Sequence, residues 1–288
     1  MSSPSVIRVL RVARHRLVTA NLDAALAFYT GYLGMAVIDT VQQLGEGGAE
    51  TVCRLGFCVG RAGERDDAQL ELVHRPGWRV AAADDASVAP PGYWKIGVTL
   101  ADVRRAAEQL RKRGIAVSEP AQFQDIGFLC HLRDPDGHCI ELLQHRFEAH
   151  FQPQPVAATE PLLSEPTLAH ITLRVRDIER SLAFYVETLG LHLVAQQEVA
   201  SHGFSLSFLG TGDETPPTTD WRSSAHREWL WQRPRTLIEL QHFHAQKPPY
   251  SVGPETGFVA LGLEVDGPGG SHGELTDPDG YRVEWVSR

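Results

Sequence analysis

A helix-forming stretch is written twice in this chain, and the distance between the copies fixes its large-scale plan. Leu17 to Gly34 reads LVTANLDAALAFYTGYLG, and 156 positions later Leu173 to Gly190 reads LRVRDIERSLAFYVETLG. Leu-Ala-Phe-Tyr and Leu-Gly fall at matching places. A second pair of marks closes each half: LRDPDGHCIELLQH from Leu132 and LTDPDGYRVEWVSR from Leu275, each with a Glu seven residues after its first Asp, Glu141 and Glu284. Repetition at a fixed spacing implies supersecondary units that bury their apolar faces against one another. Each half therefore records what the other has kept or lost.

Within each copy a short β-like run, Arg14 to Ala20 or His170 to Arg176, leads to an N-cap residue, Asn21 or Asp177. Leu22, Leu26, Tyr29 and Leu33 match Ile178, Leu182, Tyr185 and Leu189, which gives each helix one apolar face, and Gly34 or Gly190 supplies a left-handed stop. The strand-like runs MAVIDTV, ETVCRLGFCV and AQLELVH follow in the first half; LHLVAQQ, GFSLSFLG and RTLIELQH follow in the second. Each unit reads β-α-β-β-β. A further unit begins at WKIGVTL, with Asp102 as its cap and Gly114 as its stop. Its counterpart, GFVALGLEV, is offset by 165 from GYWKIGVTL, whereas the Asp-Pro-Asp-Gly marks are offset by only 143. The 22 residues missing between those landmarks equal about one helix and one strand.

The expected fold class is α+β, four βαβββ modules in two tandem domains, the fourth truncated and without its helix. The domains are expected at 1–150 and 168–288, joined by a Pro-rich linker at 151–167 that carries Pro153, Pro155, Pro161 and Pro166. A surface loop is expected at GDETPPTTD from Gly212. At 288 residues the chain is long enough for both domains. A net charge of −9 argues against nucleic acid or anionic membrane as a partner. Cys53, Cys58, Cys130 and Cys139 are too few and too irregular for a secreted disulfide scaffold, and reduced, mostly buried thiols are expected. Arg8, Arg11, Arg14 and Arg16, with no acid among them, resemble a transit peptide in composition. They run straight into the first repeated strand, and no apolar run is long enough to span a bilayer, so cytoplasm is the expected compartment.

Four such units with a Glu after Asp-Pro-Asp-Gly resemble the vicinal oxygen chelate superfamily, which includes glyoxalase I, extradiol dioxygenases and bleomycin-resistance proteins. The sharpest likeness is to glyoxalase I in the second half, through HITLRVRDIERSLAFYVETLGLHLV, GFSLSFLG, RTLIELQH and DPDGYRVEWV. The resemblance implies curved sheets, two modules forming each cup, with a divalent metal (Zn, Ni, Fe or Mn) held by a His or Gln on a module's first strand and a Glu on its last. Carried across, it implies a metal set of His170, Glu239 and Glu284, with Ala260 where a fourth ligand is expected. If modules pair across the halves, it implies Glu141 and Lys95 beside His170 and Glu239 instead; the shortened fourth module favours pairing within each half. The matching places in the first half hold Arg14, Glu71, Lys95 and Glu141, a degenerate, charge-substituted site. His15 should face away from Arg14 by strand alternation.

The activity implied is that of a metal-dependent lyase or isomerase acting on a small molecule, with a glutathione hemithioacetal as candidate substrate. Glu284 is then the catalytic base and Arg174 the substrate-binding residue. Several places depart from that pattern: Ala260, Phe243 and Thr256 stand where His, Asn and Arg are expected. His242, His244 and His272 are nearby imidazoles, and Trp221, Trp229 and Trp231 are candidates for an apolar pocket or for core packing. A non-catalytic small-molecule-binding protein is the main alternative; an extradiol dioxygenase would need a second strand His where Ala260 stands.

Overall fold

Three of the helices begin on side-chain caps at the places the sequence marks. Asn21 Oδ1 accepts the Ala24 N–H at 3.0 Å, Asp102 Oδ1 that of Arg105 at 2.9 Å, and Asp177 Oδ1 that of Arg180 at 3.1 Å. Each satisfies an otherwise orphaned donor of the first turn. The caps open α1 (Leu22–Gly31), α2 (Val103–Lys112) and α3 (Ile178–Leu182), the last continuing as π-helical turns to Thr188. Gly34, Gly114 and Gly190 follow with φ of 76°, 84° and 69°, the left-handed region that glycine enters without steric cost.

The computed structural model describes residues 8–45, 48–57, 66–78, 90–153, 161–212, 215–245, 249–267 and 269–288. Cys58, residues 154–160 of the expected linker and part of the Gly212 loop lie outside the described residues; Cys53, Cys130 and Cys139 are buried free thiols. The first module runs β1 (Val9–Thr19), α1, β2 (Met35–Gly45), β3 (Gly48–Phe57) and β4 (Gln69–His74). The second is β5 (Tyr93–Leu100), α2, β6 (Ala121–Phe123), β7 (Gly127–Arg133) and β8 (Cys139–Gln144). The third is β9 (Thr167–Val175), α3, β10 (His192–Val199), β11 (Phe204–Gly210) and β12 (Leu237–Phe243). The fourth keeps only β13 (Phe258–Val265), β14 (His272–Thr276) and β15 (Arg282–Ser287), short of one strand and a helix. A further helix, α4 (Ser224–Trp231), capped by Ser223, stands between β11 and β12 where the sequence suggested only loop and aromatic packing.

Two sheets form, in the orders β14-β15-β13-β1-β4-β3-β2 and β10-β11-β12-β9-β5-β8-β7-β6. The first module therefore shares a sheet with the fourth, through antiparallel β1 and β13, and the second with the third, through antiparallel β5 and β9. This corrects the expectation of pairing within each half. Losing a helix leaves the edge of a module's first strand unchanged, so module length says nothing about which strand it joins.

Within a half, modules meet through their helices instead. Tyr29 of α1 donates its hydroxyl to Asp134 at 2.9 Å, and Tyr185 donates to Asp277 at 3.0 Å. The two sequence marks, Leu-Ala-Phe-Tyr and Asp-Pro-Asp-Gly, are thus hydrogen-bond partners in both halves. All four groups are buried. Polar groups placed this deep stay only when paired.

Because each sheet takes strands from both halves, each half relies on the other for the partner of its first strands. Fragments 1–158 and 159–288 expressed separately are expected to lack cooperative unfolding transitions and to recover them on co-expression, seen by circular dichroism during denaturation. Two monomeric fragments, each with its own cooperative transition, would contradict the crossed pairing.

Candidate functional site

Strand alternation places His170 and Thr172 of β9, Lys95 of β5, Glu141 of β8 and Glu239 of β12 on one face of the eight-stranded sheet. Opposite His170 the partner residue on β5 is Gly97, where any Cβ would collide with the imidazole. The missing side chain lets the ring lie flat against the backbone. The four polar groups converge. Lys95 Nζ is 2.7 Å from Glu141 Oε2, 3.5 Å from Glu239 Oε2 and 3.3 Å from His170 Nε2. His170 Nε2 lies 3.2 Å from Glu141 Oε1 and 3.3 Å from Glu239 Oε2. Thr172 Oγ1 donates to Glu239 at 2.7 Å, and His131 Nε2 stands 3.1 Å from Glu141.

None of the four is more than 5% exposed, so their charges interact across little water. Burial works against charge on both partners. Even so, Glu141 and Glu239 raise Lys95 above the ordinary lysine value, and Lys95, with hydrogen bonds from His131 and His170, holds Glu141 well below the usual carboxylate range. Apolar walls close the space above. Trp94, Phe123, Phe204, Phe208 and Trp231 surround a cavity of about 40 Å³ over the polar floor. Trp231 from α4 is fixed by its indole N–H, which donates to Ile126 O at 2.8 Å.

Arg174 lies on the same face of β9, two alternations beyond His170. Its Nε donates to Gln241 at 3.2 Å and its Nη1 to Pro91 O at 3.1 Å, and its guanidinium sits 5.3 Å from the Trp94 ring centroid. Lys95 Nζ approaches the same ring at 4.7 Å. Two cations thus lie within reach of the Trp94 ring.

Glu284 is elsewhere, which corrects the set of His170, Glu239 and Glu284 and the assignment of Glu284 as base to the histidine site. It lies on β15 in the seven-stranded sheet, where Arg16 Nη1 meets it at 2.7 Å and Arg282 Nε at 3.3 Å. Arg16 also reaches Glu71 with Nε at 2.9 Å. Arg54 stands 2.9 Å from Glu71 and Arg14 3.6 Å. The first-half quartet is thereby divided: Arg14 and Glu71 share this cup with Glu284, while Lys95 and Glu141 join His170. Arg16, not singled out from the sequence, is the bridging cation here. Its place opposite Glu71 in the β1–β4 register, one alternation after Arg14, was the available signal.

His15 faces the other way, as alternation requires, buried against Tyr93 and Phe258; burial, with His138 adding to it, pushes its imidazole down to about 3. His242 and His244 pack near each other at the end of β12, and His272 is on β14. None of the three lines the cavity.

A divalent ion does not fit the His170 set as it stands. Ammonium has no lone pair to offer, and Lys95 Nζ already lies between the two carboxylates and the imidazole. His170 Nδ1 also lacks a hydrogen-bond partner, whereas metal-bound imidazoles generally donate from the second nitrogen. Among the described residues no group of three or more His, Cys, Asp or Glu is arranged to hold a metal.

Residues 8–142 and 167–285 match the family model described as the Glyoxalase/Bleomycin resistance protein/Dioxygenase superfamily. The chain belongs to that superfamily. It is 33% identical over 129 residues to a lactoylglutathione lyase of Pseudomonas putida, covering 45% of this chain and 63% of that protein. It is 31% identical over 230 residues to glyoxalase I of Saccharomyces cerevisiae, covering 68% of this chain and 64% of that protein. The chain thus spans less than two thirds of either relative. Glyoxalase I from Zea mays shares the fold, with a TM-score of 0.67 at 20% identity over 96% of this chain and 92% of that one. The superfamily chain has no helix long and apolar enough to cross a membrane among its described residues.

Replacing Lys95 with Met leaves Glu141 and Glu239 facing each other without a cation. The expected loss is about 3–5 kcal/mol near neutral pH, read from denaturant unfolding. Glu141 is depressed in the folded protein, so its contribution is full above the unfolded value of about 4.3 and falls as pH drops through the lower folded value. Lys95 is raised, so its contribution is full below about 10.4 and is lost as pH rises through the higher folded value. In Lys95→Met, protonation of one glutamate relieves the repulsion, and the gap from wild type should narrow as pH falls toward about 4. A constant gap, or none, would contradict the buried quartet.

Proposed function

We propose that this glyoxalase-superfamily chain binds a small molecule in the His170 cup without turning it over by lactoylglutathione lyase chemistry. The observation that carries this reading is the enclosed apolar cavity set directly on a locked ionic floor. Ligand sites combine apolar walls with a few convergent polar groups, and this cup has that composition. The ligand class it suits is a compact apolar or aromatic body with one uncharged hydrogen-bonding group, such as a hydroxyl, toward the polar floor, where Glu141 and Glu239 already engage Lys95. At about 40 Å³ the cavity is near the size of one water molecule. Entry of a ligand therefore requires the β6–β7 hairpin to part from the turn after β10, where Phe123 packs on His202 at 5.2 Å between ring centroids.

Proton abstraction by Glu141 is poorly served by the same geometry. A general base works best with a pKa near the working pH, and Glu141 is held far below it by Lys95, His131 and His170. The second reading, a lyase or isomerase acting on a glutathione hemithioacetal, is favoured by the likeness to lactoylglutathione lyases and by Arg174 at the cup's rim. In that reading Arg174 meets a substrate carboxylate.

Trp94 and Trp231 report on the cavity directly. Titration with small uncharged aromatic alcohols should quench their fluorescence saturably, with tighter binding in Phe208→Ala, where the removed ring leaves room. Hemithioacetal turnover should be absent with or without added Zn²⁺ or Ni²⁺. Turnover that His170→Ala abolishes and Arg174→Ala slows through a raised KM would establish the lyase reading instead.

A further inference from the structure

We propose that each cup carries a resident side-chain cation that substitutes for a metal ion: Lys95 in the His170 cup and Arg16 in the Glu284 cup. This goes beyond the ligand-binding reading and holds whichever molecule the His170 cup accepts.

The two cups are formed by different module pairs, and both place a basic side chain between two glutamates. Each brings together two glutamates, one from the last strand of each contributing module: Glu141 of β8 with Glu239 of β12, and Glu71 of β4 with Glu284 of β15. In each a basic residue from a module's first strand bridges the two carboxylates. Lys95 Nζ stands 2.7 Å from Glu141 and 3.5 Å from Glu239. Arg16 places Nε 2.9 Å from Glu71 and Nη1 2.7 Å from Glu284. A glycine on the neighbouring first strand faces the remaining residue in both, Gly97 against His170 and Gly262 against Arg14, and a Cβ at either would strike that side chain. The backbone pairing is the same in both cups, but the cation arrives from different sides: Lys95 from the glycine's own strand, opposite Thr172, and Arg16 from the strand of Arg14, opposite Ala260.

Two carboxylates gathered in a buried cup require positive charge, and a divalent ion or a protonated side chain supplies it. Here the side chain is covalently present. For an ion to bind His170, Glu141 and Glu239, the Lys95 ammonium must either swing out through the aromatic wall or give up its proton between two carboxylates. Both routes oppose the contacts that hold it. The side-chain cation also differs from an ion in being a donor: the three N–H groups of Lys95 have Glu141, Glu239 and His170 within reach, so the cup is held by hydrogen bonds rather than by a Lewis acid.

The test is metal uptake and its effect on unfolding, with Zn²⁺ and Ni²⁺ as probes. Wild type is expected to take up no stoichiometric ion by elemental analysis after equilibration and desalting, and its denaturation midpoint should be the same with metal or chelator. Lys95→His replaces the ammonium with an imidazole and should take up one equivalent, with a midpoint that rises with free metal and falls with chelator. Adding His170→Ala should remove that uptake. Stoichiometric binding in wild type that His170→Ala abolishes would overturn the proposal. A folded Lys95→His variant that takes up no ion would overturn it too, since the ammonium would then not be what keeps the ion out. Should Lys95→His not fold, the wild-type titration with its His170→Ala control decides alone.

Discussion

The antiparallel pairing of β5 with β9 is the constraint on which the site depends. It joins the second module to the third across the two halves of the sequence and sets Gly97 against His170. Lys95 and Glu141 thereby arrive opposite His170 and Glu239 on one concave face. A shift of one residue in this register would turn Lys95 away from the carboxylates and leave two buried negative charges facing each other. Register and charge compensation are thus coupled, and each specifies the other. The β1–β13 pairing does the same for Arg16 between Glu71 and Glu284.

On the proposed reading, this coupling lets a superfamily fold hold its carboxylates without a metal. Removing an ion from a carboxylate-lined cup exposes a desolvation cost that the protein must offset with another positive charge or with neutral residues. In this chain both cups hold two glutamates and a basic neighbour on a first strand. The aromatic side chains above Lys95 then fill space that would otherwise admit water, which strengthens the ionic contacts beneath them. Similarity to lactoylglutathione lyases describes the fold and the repeated frame; the groups at the centre of the cup determine its chemistry.

Local features were legible in the sequence because they depend on near neighbours. The caps Asn21, Asp102 and Asp177, the stops Gly34, Gly114 and Gly190, and the helix-less fourth module all stand where spacing put them. Alternation correctly turned His15 away from Arg14. Strand partnership was not legible, because it depends on which apolar faces meet at a distance, and the shortened fourth module pointed the wrong way. The favoured local pairing therefore put Glu284 beside His170, whereas the alternative of pairing across the halves had Lys95 and Glu141 there, as the structure has them. Arg16 escaped notice because equivalence with His170 drew attention to Arg14; only the β1–β4 register shows Arg16 opposite Glu71. Helix α4 was hidden in a stretch whose tryptophans suggested packing, although Ser223 was a readable cap.

The position of the Lys95 ammonium is the point on which the functional reading turns. A crystal structure of the wild-type protein grown with excess Ni²⁺ or Zn²⁺, with anomalous data collected at the metal edge, examines it directly. The expected density shows Lys95 Nζ between Glu141 and Glu239 with no anomalous peak beside His170. An anomalous peak about 2.0–2.1 Å from His170 Nε2, with Lys95 displaced from the carboxylates, would contradict it.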